Sequence, residues 1–215
     1  MSRYAVITAD IINSKLAERF AAKLKPVFSQ LHFPSLLTPF ALSRGDEIQA
    51  VCNEPATLPQ LIRELRYHCL PFQIRVGVGI GSIEAVDHTL NSWEMNGEAF
   101  FRAREALDSF AKDKFPGTRF CTSESFFDLA LNTIYLLNDT YLARWTDAQW
   151  EAIHYYQLYR TYQKAAEVLK IARQNVQKRC YAAHWHEINL TEQNVKQLLS
   201  ERYPIFHPRE GVLEK

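Results

Sequence analysis

The chain contains 215 residues, 47% of them hydrophobic as in an ordinary globular protein, with a formal net charge of +1. This length accommodates one or two domains with sizeable cores, and the balanced charge excludes a protein that coats nucleic acid through its overall charge. Four scattered cysteines without a CxxC pair argue against a disulfide framework and a zinc site, and without an apolar run of about 20 residues we expect a cytoplasmic protein with no membrane contact.

The first 122 residues predict alternating strands and helices. Apolar, β-branched residues before Asp10 are typical of a buried first strand, and Gly45-Asp46 is typical of a hairpin turn. We predict strands over residues 3–9, 40–44, 47–52, 73–83 and 119–122, and helices over residues 15–31, 58–69 and 97–112. The order β-α-β-β-α-β is that of a ferredoxin-like domain, here followed by one more helix and strand.

Glycines alternate along the strand predicted over residues 73–83, at Gly77, Gly79 and Gly81. A strand face without side chains permits the close approach of another backbone segment or of a ligand. The sequence leaves these two interpretations open.

After residue 122 the sequence shows only helical periodicity, which indicates a change of domain. Thr146 and Gln149 predict a capping box at the start of one of these helices. We therefore predict an α+β protein, with a ferredoxin-like domain over residues 1–122 and an all-α domain over residues 123–215.

Three carboxylates are expected to converge at one edge of the predicted sheet. Asp10 ends the first strand, and Asp46 and Glu47 lie at the hairpin turn beside it in a ferredoxin-like topology. Carboxylates held close together repel one another unless a divalent cation lies between them, and oxygen ligands favour Mg²⁺ or Mn²⁺. We predict that these residues are metal ligands, and the alternative is ordinary turn chemistry on a solvated rim.

The same region resembles the palm domain of GGDEF diguanylate cyclases, a nucleotide-cyclase-like fold. Residues 45–48 (GDEI) resemble the signature of that family, Asp10 in ITADI resembles its metal-binding Asp, and RVGVGIGSI (75–83) resembles its SIGIA strand. AFFRAR (99–104) is similar to its Ala-Leu-Tyr-x-Ala-Lys helix. The resemblance implies that Gly45 lies against a nucleotide and that Arg104 contacts its triphosphate.

Two departures weigh against the reactions of these cyclases. In the GGDEF signature the first glycine lets guanine approach the hairpin. Arg44 replaces that glycine in this chain, so diguanylate synthesis is not expected. Phe101 occupies the position of the Asn that stabilises the transition state in class III cyclases, so adenylate cyclase activity is not expected either.

A more extensive resemblance, over nearly the whole chain, is to the SatD family. It rests on four segments, YAVITADIINSK (4–15), SRGDEIQAV (43–51), IRVGVGIGSI (74–83) and MNGEAFFRAREAL (95–107). This resemblance implies a fold and leaves the activity open.

Further phosphate contacts are predicted beside the carboxylates. Asn13 and Ser14 follow the first strand, where backbone N–H groups at a helix N-terminus can hold a phosphate, and an ordinary N-cap is the alternative. Arg102 and Arg104 have another alternative, ion pairs with Glu98, Glu105 or Asp108 along their helix.

Residues 163–179 resemble a helix-turn-helix of sigma-factor-like regulators. Ala166 permits close helix approach and Ile171 and Val176 fill the corner, although Lys170 stands where glycine is frequent. Between residues 160 and 186, six basic residues oppose one acidic residue, a net charge of +5, which favours a phosphate partner. The candidate contacts to double-stranded DNA are Arg173, Gln174, Asn175, Gln177, Lys178 and Arg179. A trihelical unit that binds protein is the alternative.

Histidines in the helical half invite a metal interpretation. His184 and His186 are two residues apart and therefore point to different faces of a helix. We do not expect this pair or His154 to chelate a metal.

These features predict a regulatory protein that binds a nucleotide with Mg²⁺ or Mn²⁺ in its palm domain and DNA through its helix-turn-helix. Whether the protein is an enzyme stays open. One alternative is a metal-dependent nucleotidyl-transfer or nucleotide-hydrolysing enzyme of the cyclase/polymerase palm type, and another is a degenerate palm that serves as a scaffold for protein interaction. Since cyclase-like palms complete their sites between two subunits, a homodimer is expected by analogy alone.

Overall fold

A computed structural model describes residues 3–12, 17–42, 46–84, 92–110 and 113–204. The strands are β1 (Tyr4–Ile11), β2 (Leu36–Leu42), β3 (Glu47–Cys52), β4 (Ile74–Gly81) and β5 (Thr118–Cys121). The helices are α1 (Ala17–Phe28), α2 (Leu58–Cys69), α3 (Glu98–Asp108), α4 (Ser125–Leu142), α5 (Asp147–Tyr159), α6 (Tyr162–Leu169), α7 (Arg173–Ala182) and α8 (Trp185–Arg202). The α+β class is therefore confirmed, with a five-stranded mixed sheet and eight α-helices in the described ranges.

The apolar strand β1 lies at the centre of the sheet, whose order is β2-β3-β1-β4-β5. It runs antiparallel to both β3 and β4, whereas β5 is parallel to β4. In this register Asp10 is opposite Glu47 on one side and Arg75 on the other. The sheet itself thus places a carboxylate of β1 beside a carboxylate and a guanidinium of its neighbours.

The glycine face of β4 is covered by the backbone of α3. A Cβ atom at Gly79 would lie 2.1 Å from the carbonyl oxygen of Ala99, and one at Gly77 would lie 2.4 Å from that of Ala103. Even a Cβ atom cannot be accommodated at such distances, so glycine is required at both positions. Of the two interpretations of this face, the described residues match the close approach of backbone, and this contact sets the position of α3.

Two hydrophobic cores contain residues from both halves of the chain. The first is formed by the sheet with α1 and α2, and it also includes Leu131 of α4 and Leu199 of α8. The second lies among the later helices around Trp145, Trp150 and Val176. Because α4 and α8 also supply residues to the second core, these two helices tie it to the sheet. The division into domains at residue 122 stays a prediction.

Buried ion pairs reinforce the junction between α2 and the later helices. Arg63 Nε donates to Glu192 of α8 at 3.0 Å, and Arg66 Nη2 lies 3.4 Å from Asp139 of α4. Removal of one partner alone from such a pair destabilises the fold strongly, because the charge of the other partner then stays buried without compensation. The predicted capping box of α5, formed by Thr146 and Gln149, is confirmed.

In the described ranges, every helix is too short or too polar to cross a membrane.

Candidate functional site

The three predicted metal ligands lie together where β1 ends and β3 begins. Asp10 and Glu47 are register partners, and Asp46 immediately precedes β3. Their side chains are only partly exposed, so each carboxylate is influenced by the charges of its neighbours. This location is a consequence of the strand order, which brings two segments separated by more than 30 residues to one edge of the sheet.

Arg75 of β4 forms a two-point ion pair with Asp10. Its Nε donates to Oδ1 at 2.9 Å, and its Nη2 donates to Oδ2. The same guanidinium reaches the backbone carbonyl of Asp113 at 3.2 Å. The sequence analysis did not identify Arg75 as a site residue, although its place at the start of β4, directly across from Asp10, follows from antiparallel pairing.

Arg104 of α3 forms a second two-point ion pair, with Glu47. The two nitrogen–oxygen distances are 2.9 Å and 2.8 Å. Arg104 thus reaches across to β3, while the neighbouring Arg102 pairs with Glu98 along the helix. The hydrogen bonds from Arg104 lower the pKa of Glu47 below its ordinary value of 4.5, which keeps that carboxylate ionised.

Asp46 carries the opposite perturbation. Partial burial raises the pKa of Asp46, a backbone hydrogen bond within the residue opposes that change, and the charges of Asp10 and Glu47 raise it again. A carboxyl group whose ionisation is disfavoured by neighbouring carboxylates lies in a field that attracts a cation.

In their present positions the three carboxylates do not converge on a single point. Among the described residues, three ligand atoms all within 4.8 Å of one another occur at Glu64, His68 and His154 and not at the sheet edge. Asp10 and Glu47 instead turn toward their arginine partners. A metal ion bound by all three would therefore have to compete with Arg75 and Arg104.

Three further residues of the predicted nucleotide site lie outside the described ranges. They are Asn13, Ser14 and Gly45. Arg104 is the predicted nucleotide contact that the structure describes, and its side chain is 43% exposed.

The second candidate site is formed by α6, the turn over residues 170–172 and α7. Ala166 and Val176 are buried and Ile171 is partly buried, as a corner between two packed helices requires. Lys170 adopts a left-handed conformation with φ 53° and ψ 43°. The amide N–H groups of Lys170 and Ile171 donate back to the carbonyls of Glu167 and Ala166, so a lysine occupies the position that glycine usually takes in such a C-cap.

Most of the predicted DNA contacts project into solvent from α7. Those that are exposed are Arg173, Gln174, Asn175, Gln177 and Lys178. Arg179 is partly buried, and its Nη1 lies 3.5 Å from the carbonyl oxygen of Ala148. Within residues 113–204, which are described throughout, Arg173 and Lys178 form no ion pair within 4.0 Å. Their charges are therefore available to a phosphate.

Sequence reasoning missed the cluster of Glu64, His68 and His154. Glu64 and His68 are four residues apart on α2, a spacing that places both on one helix face, and this signal was visible in the sequence. His154 comes from α5, and its sequence position does not indicate which residues it contacts in the fold. The sequence analysis did not connect His154 with Glu64, whose Oε2 lies 3.0 Å from His154 Nδ1.

Comparison with known proteins identifies one family. The family model of SatD matches residues 4–199, more than half of the chain. No curated protein matches the chain.

Proposed function

The chain belongs to the SatD family, and we propose that it is a regulatory protein that binds a nucleotide with Mg²⁺ or Mn²⁺ at the sheet edge and double-stranded DNA through α7. One observation carries the first half of this proposal. Asp10, Asp46 and Glu47 share one edge of the sheet with two arginines, which pair with Asp10 and Glu47. Carboxylates beside arginines are the side chains that together hold a metal and the phosphates it neutralises.

The strand arrangement supports a palm-type interpretation of the first half. Strands β2, β3, β1 and β4 are neighbours in that order, and each adjacent pair is antiparallel, as in a ferredoxin-like sheet. The fifth strand is an addition at the β4 edge. In this arrangement the candidate metal ligands lie on the two central strands and the turn between β2 and β3.

Metal binding and phosphate binding are coupled in this proposal. Three carboxylates face two arginines, so the cluster keeps one excess negative charge when all are ionised. A divalent cation on the carboxylates would free the guanidiniums of Arg75 and Arg104. Both could then form two-point hydrogen bonds to phosphate, for which the planar guanidinium is well suited.

The proposed DNA contact rests on the exposed face of α7. Its buried residues pack against α5 and α6, which leaves polar and basic side chains to face solvent along one side. In a helix-turn-helix the second helix enters the major groove and its exposed residues reach base edges and phosphates. The net charge of +5 between residues 160 and 186 supports attraction to a polyanion.

A second candidate function uses the same residues differently. With two metal ions the carboxylates would activate an attacking oxygen and stabilise the leaving group, as in enzymes that transfer or hydrolyse nucleotides. The presence of Arg104 beside the carboxylates favours this candidate, since it would neutralise charge on a triphosphate. Product analysis after incubation with metal and nucleoside triphosphate separates an enzyme from a sensor.

A thermal-shift screen tests the proposed nucleotide site. ATP, GTP, CTP and UTP are each added with and without Mn²⁺. A ligand at 100 times its Kd stabilises a protein by about 2.7 kcal/mol, and we expect this for at least one nucleotide when Mn²⁺ is present.

Two variants make the screen specific. Asp46→Ala should lose the metal-dependent shift, while Glu151→Ala, which removes an exposed carboxylate from α5, should keep it. If no nucleotide shifts the wild type, or if Asp46→Ala responds as the wild type does, the sheet edge is not a nucleotide site and the palm acts as a scaffold.

A further inference from the structure

A compact group of three side chains joins α2 to α5, away from the sheet edge. Glu64 and His68 lie on one face of α2, and His154 projects toward them from α5. Glu64 Oε2 is 3.0 Å from His154 Nδ1 and 3.9 Å from His68 Nε2. One ligand atom from each residue lies within 4.8 Å of the other two.

These separations suit a small, four-coordinate cation. Metal–ligand bonds of 2.0–2.2 Å place the ligand atoms of a tetrahedral zinc ion roughly 3.4 Å apart. The two distances from Glu64 Oε2 lie on either side of that value. All three separations are below 4.8 Å, and the side chain of His68 is 19% exposed, which leaves room for a solvent ligand.

Neighbouring residues hold two of the three ligands in place. Arg63 Nη1 donates to Glu64 Oε1 at 2.7 Å, which leaves Oε2 directed at the histidines. The ring of Tyr67 stacks on His154 with 4.0 Å between centroids. Fixed orientation of this kind is typical of metal ligands, whose supporting contacts set the geometry of the site.

The charges around the group favour a cation. Arg63 is buried and is shared by two carboxylates, the buried one of Glu64 and that of Glu192, whose side chain is 11% exposed. With both carboxylates ionised and both imidazoles neutral, one negative charge is left uncompensated. A divalent ion between Glu64 and the histidines would neutralise this charge in a poorly solvated place, where such neutralisation is most favourable.

We propose that Glu64, His68 and His154 bind one divalent transition metal ion of the zinc class, with water as its fourth ligand. Imidazole nitrogens suit Zn²⁺, Co²⁺ and Ni²⁺, whereas Mg²⁺ prefers oxygen alone. The ion links α2, which packs on the sheet, to α5, which packs in the second core. It thereby fixes the helices that carry α7 relative to the sheet. This site shares no ligand with Asp10, Asp46 and Glu47 and does not depend on the function proposed for them.

Direct metal binding by the full chain tests this site. Chelator-treated protein is titrated with Zn²⁺ by calorimetry, in the Asp46→Ala background so that the sheet edge does not compete. We expect one ion per chain. The X-ray absorption spectrum of the bound zinc should show nitrogen and oxygen ligands without sulfur, which distinguishes this site from binding by the four cysteines.

Single-residue variants locate the ion. His154→Gln and His68→Gln should each weaken Zn²⁺ binding by more than the roughly 10–100-fold that loss of a supporting contact costs. His32→Gln removes an exposed histidine elsewhere and should bind as the parent does. The proposal is overturned by an absence of stoichiometric zinc, by sulfur in the ligand shell, or by unchanged affinity in His154→Gln. The first two results need no substitution within the cluster itself, so a folding defect in a cluster variant does not protect the proposal.

Discussion

The sheet edge and the exposed face of α7 both present basic side chains, but they hold the positive charge in different states. At the sheet edge, Arg75 and Arg104 are each engaged by a carboxylate through two contacts. On α7, Arg173 and Lys178 extend into solvent without an ion pair to any residue of the described ranges. A phosphate would have to compete with carboxylates for the arginines at the sheet edge, whereas on α7 it would face no such competition from the described residues.

This difference separates two kinds of phosphate binding within one chain. The sheet edge should bind a nucleotide only when a metal ion is bound to its carboxylates, so nucleotide binding there depends on the metal. The α7 face should accept a polyanion at any metal concentration, with an affinity that falls as salt rises.

The largest effect is expected from Gly79→Ala. The added methyl group would lie 2.1 Å from the backbone of α3, and backbone cannot move aside as a side chain can. We expect a loss of about 3 kcal/mol in the free energy of unfolding, measured by urea denaturation, together with loss of the nucleotide site because α3 carries Arg104. Gly117→Ala is the control, since its Cβ would meet a side chain, the ring of Phe110 at 2.9 Å, and not backbone. It should therefore destabilise the protein less than Gly79→Ala does. Equal stability of Gly79→Ala and the wild type would refute the packing of α3 on β4.

The second prediction concerns the arginine of α3. Arg104→Ala should weaken binding of the Mn²⁺–nucleotide complex by about 1.5–3 kcal/mol, the usual contribution of hydrogen bonds to charged groups. Arg104→Lys keeps the charge without the two-point geometry and should fall between wild type and Ala. Titration with a fluorescent nucleotide gives all three dissociation constants. Identical values would show that Arg104 only neutralises Glu47.

A smaller change is expected on α7. Arg173→Ala should lower the slope of log affinity for double-stranded DNA against log salt by about one unit, corresponding to one lost phosphate contact. Arg144→Ala removes an exposed arginine that follows α4 and should leave the slope unchanged. Fluorescence anisotropy over a series of salt concentrations measures both. An unchanged slope in Arg173→Ala would remove the helix-turn-helix interpretation of α7.

The smallest effect is a dependence of stability on pH. The pKa of Glu47 in the folded chain lies below 4.5 because Arg104 donates to it. The resulting stabilisation is present above pH 4.5 and is lost as the pH falls through the folded-state pKa. Since the pair is partly exposed, its contribution is at most about 1 kcal/mol. Denaturation of the wild type and Glu47→Gln at pH 7 and at a series of lower pH values should give curves that differ at pH 7 and approach one another as the pH falls through the folded-state pKa.

The fold followed from the sequence where local patterns decide the structure. The apolar run before Asp10, the helical periodicity of residues 58–69 and the capping box at Thr146 all specify local elements, and all are present. The second strand was displaced, since it was predicted over residues 40–44 and is found at Leu36–Leu42. Its buried residues do not alternate strictly, which weakens the signal of a two-residue period.

Contacts between distant segments were harder to predict from the sequence. The pairing of Arg104 with Glu47 joins residues 57 positions apart, and local spacing instead suggested partners along α3. His154 and Glu64 are 90 residues apart, and nothing in either local sequence indicates the other. Such contacts depend on how α3 packs on the sheet and α5 on α2, which tertiary packing decides. The roles of the site residues themselves remain predictions.

The most direct test of this account is the affinity for the nucleotide selected by the thermal-shift screen, measured with and without Mn²⁺ on the same protein. We expect the Kd to fall by roughly tenfold or more when Mn²⁺ is present, and the affinity for Mn²⁺ to rise by the same factor when the nucleotide is present. In Asp46→Ala this coupling should disappear. Equal affinity with and without metal, or coupling that survives in Asp46→Ala, would contradict the claim that a metal at the sheet edge releases the arginines for phosphate.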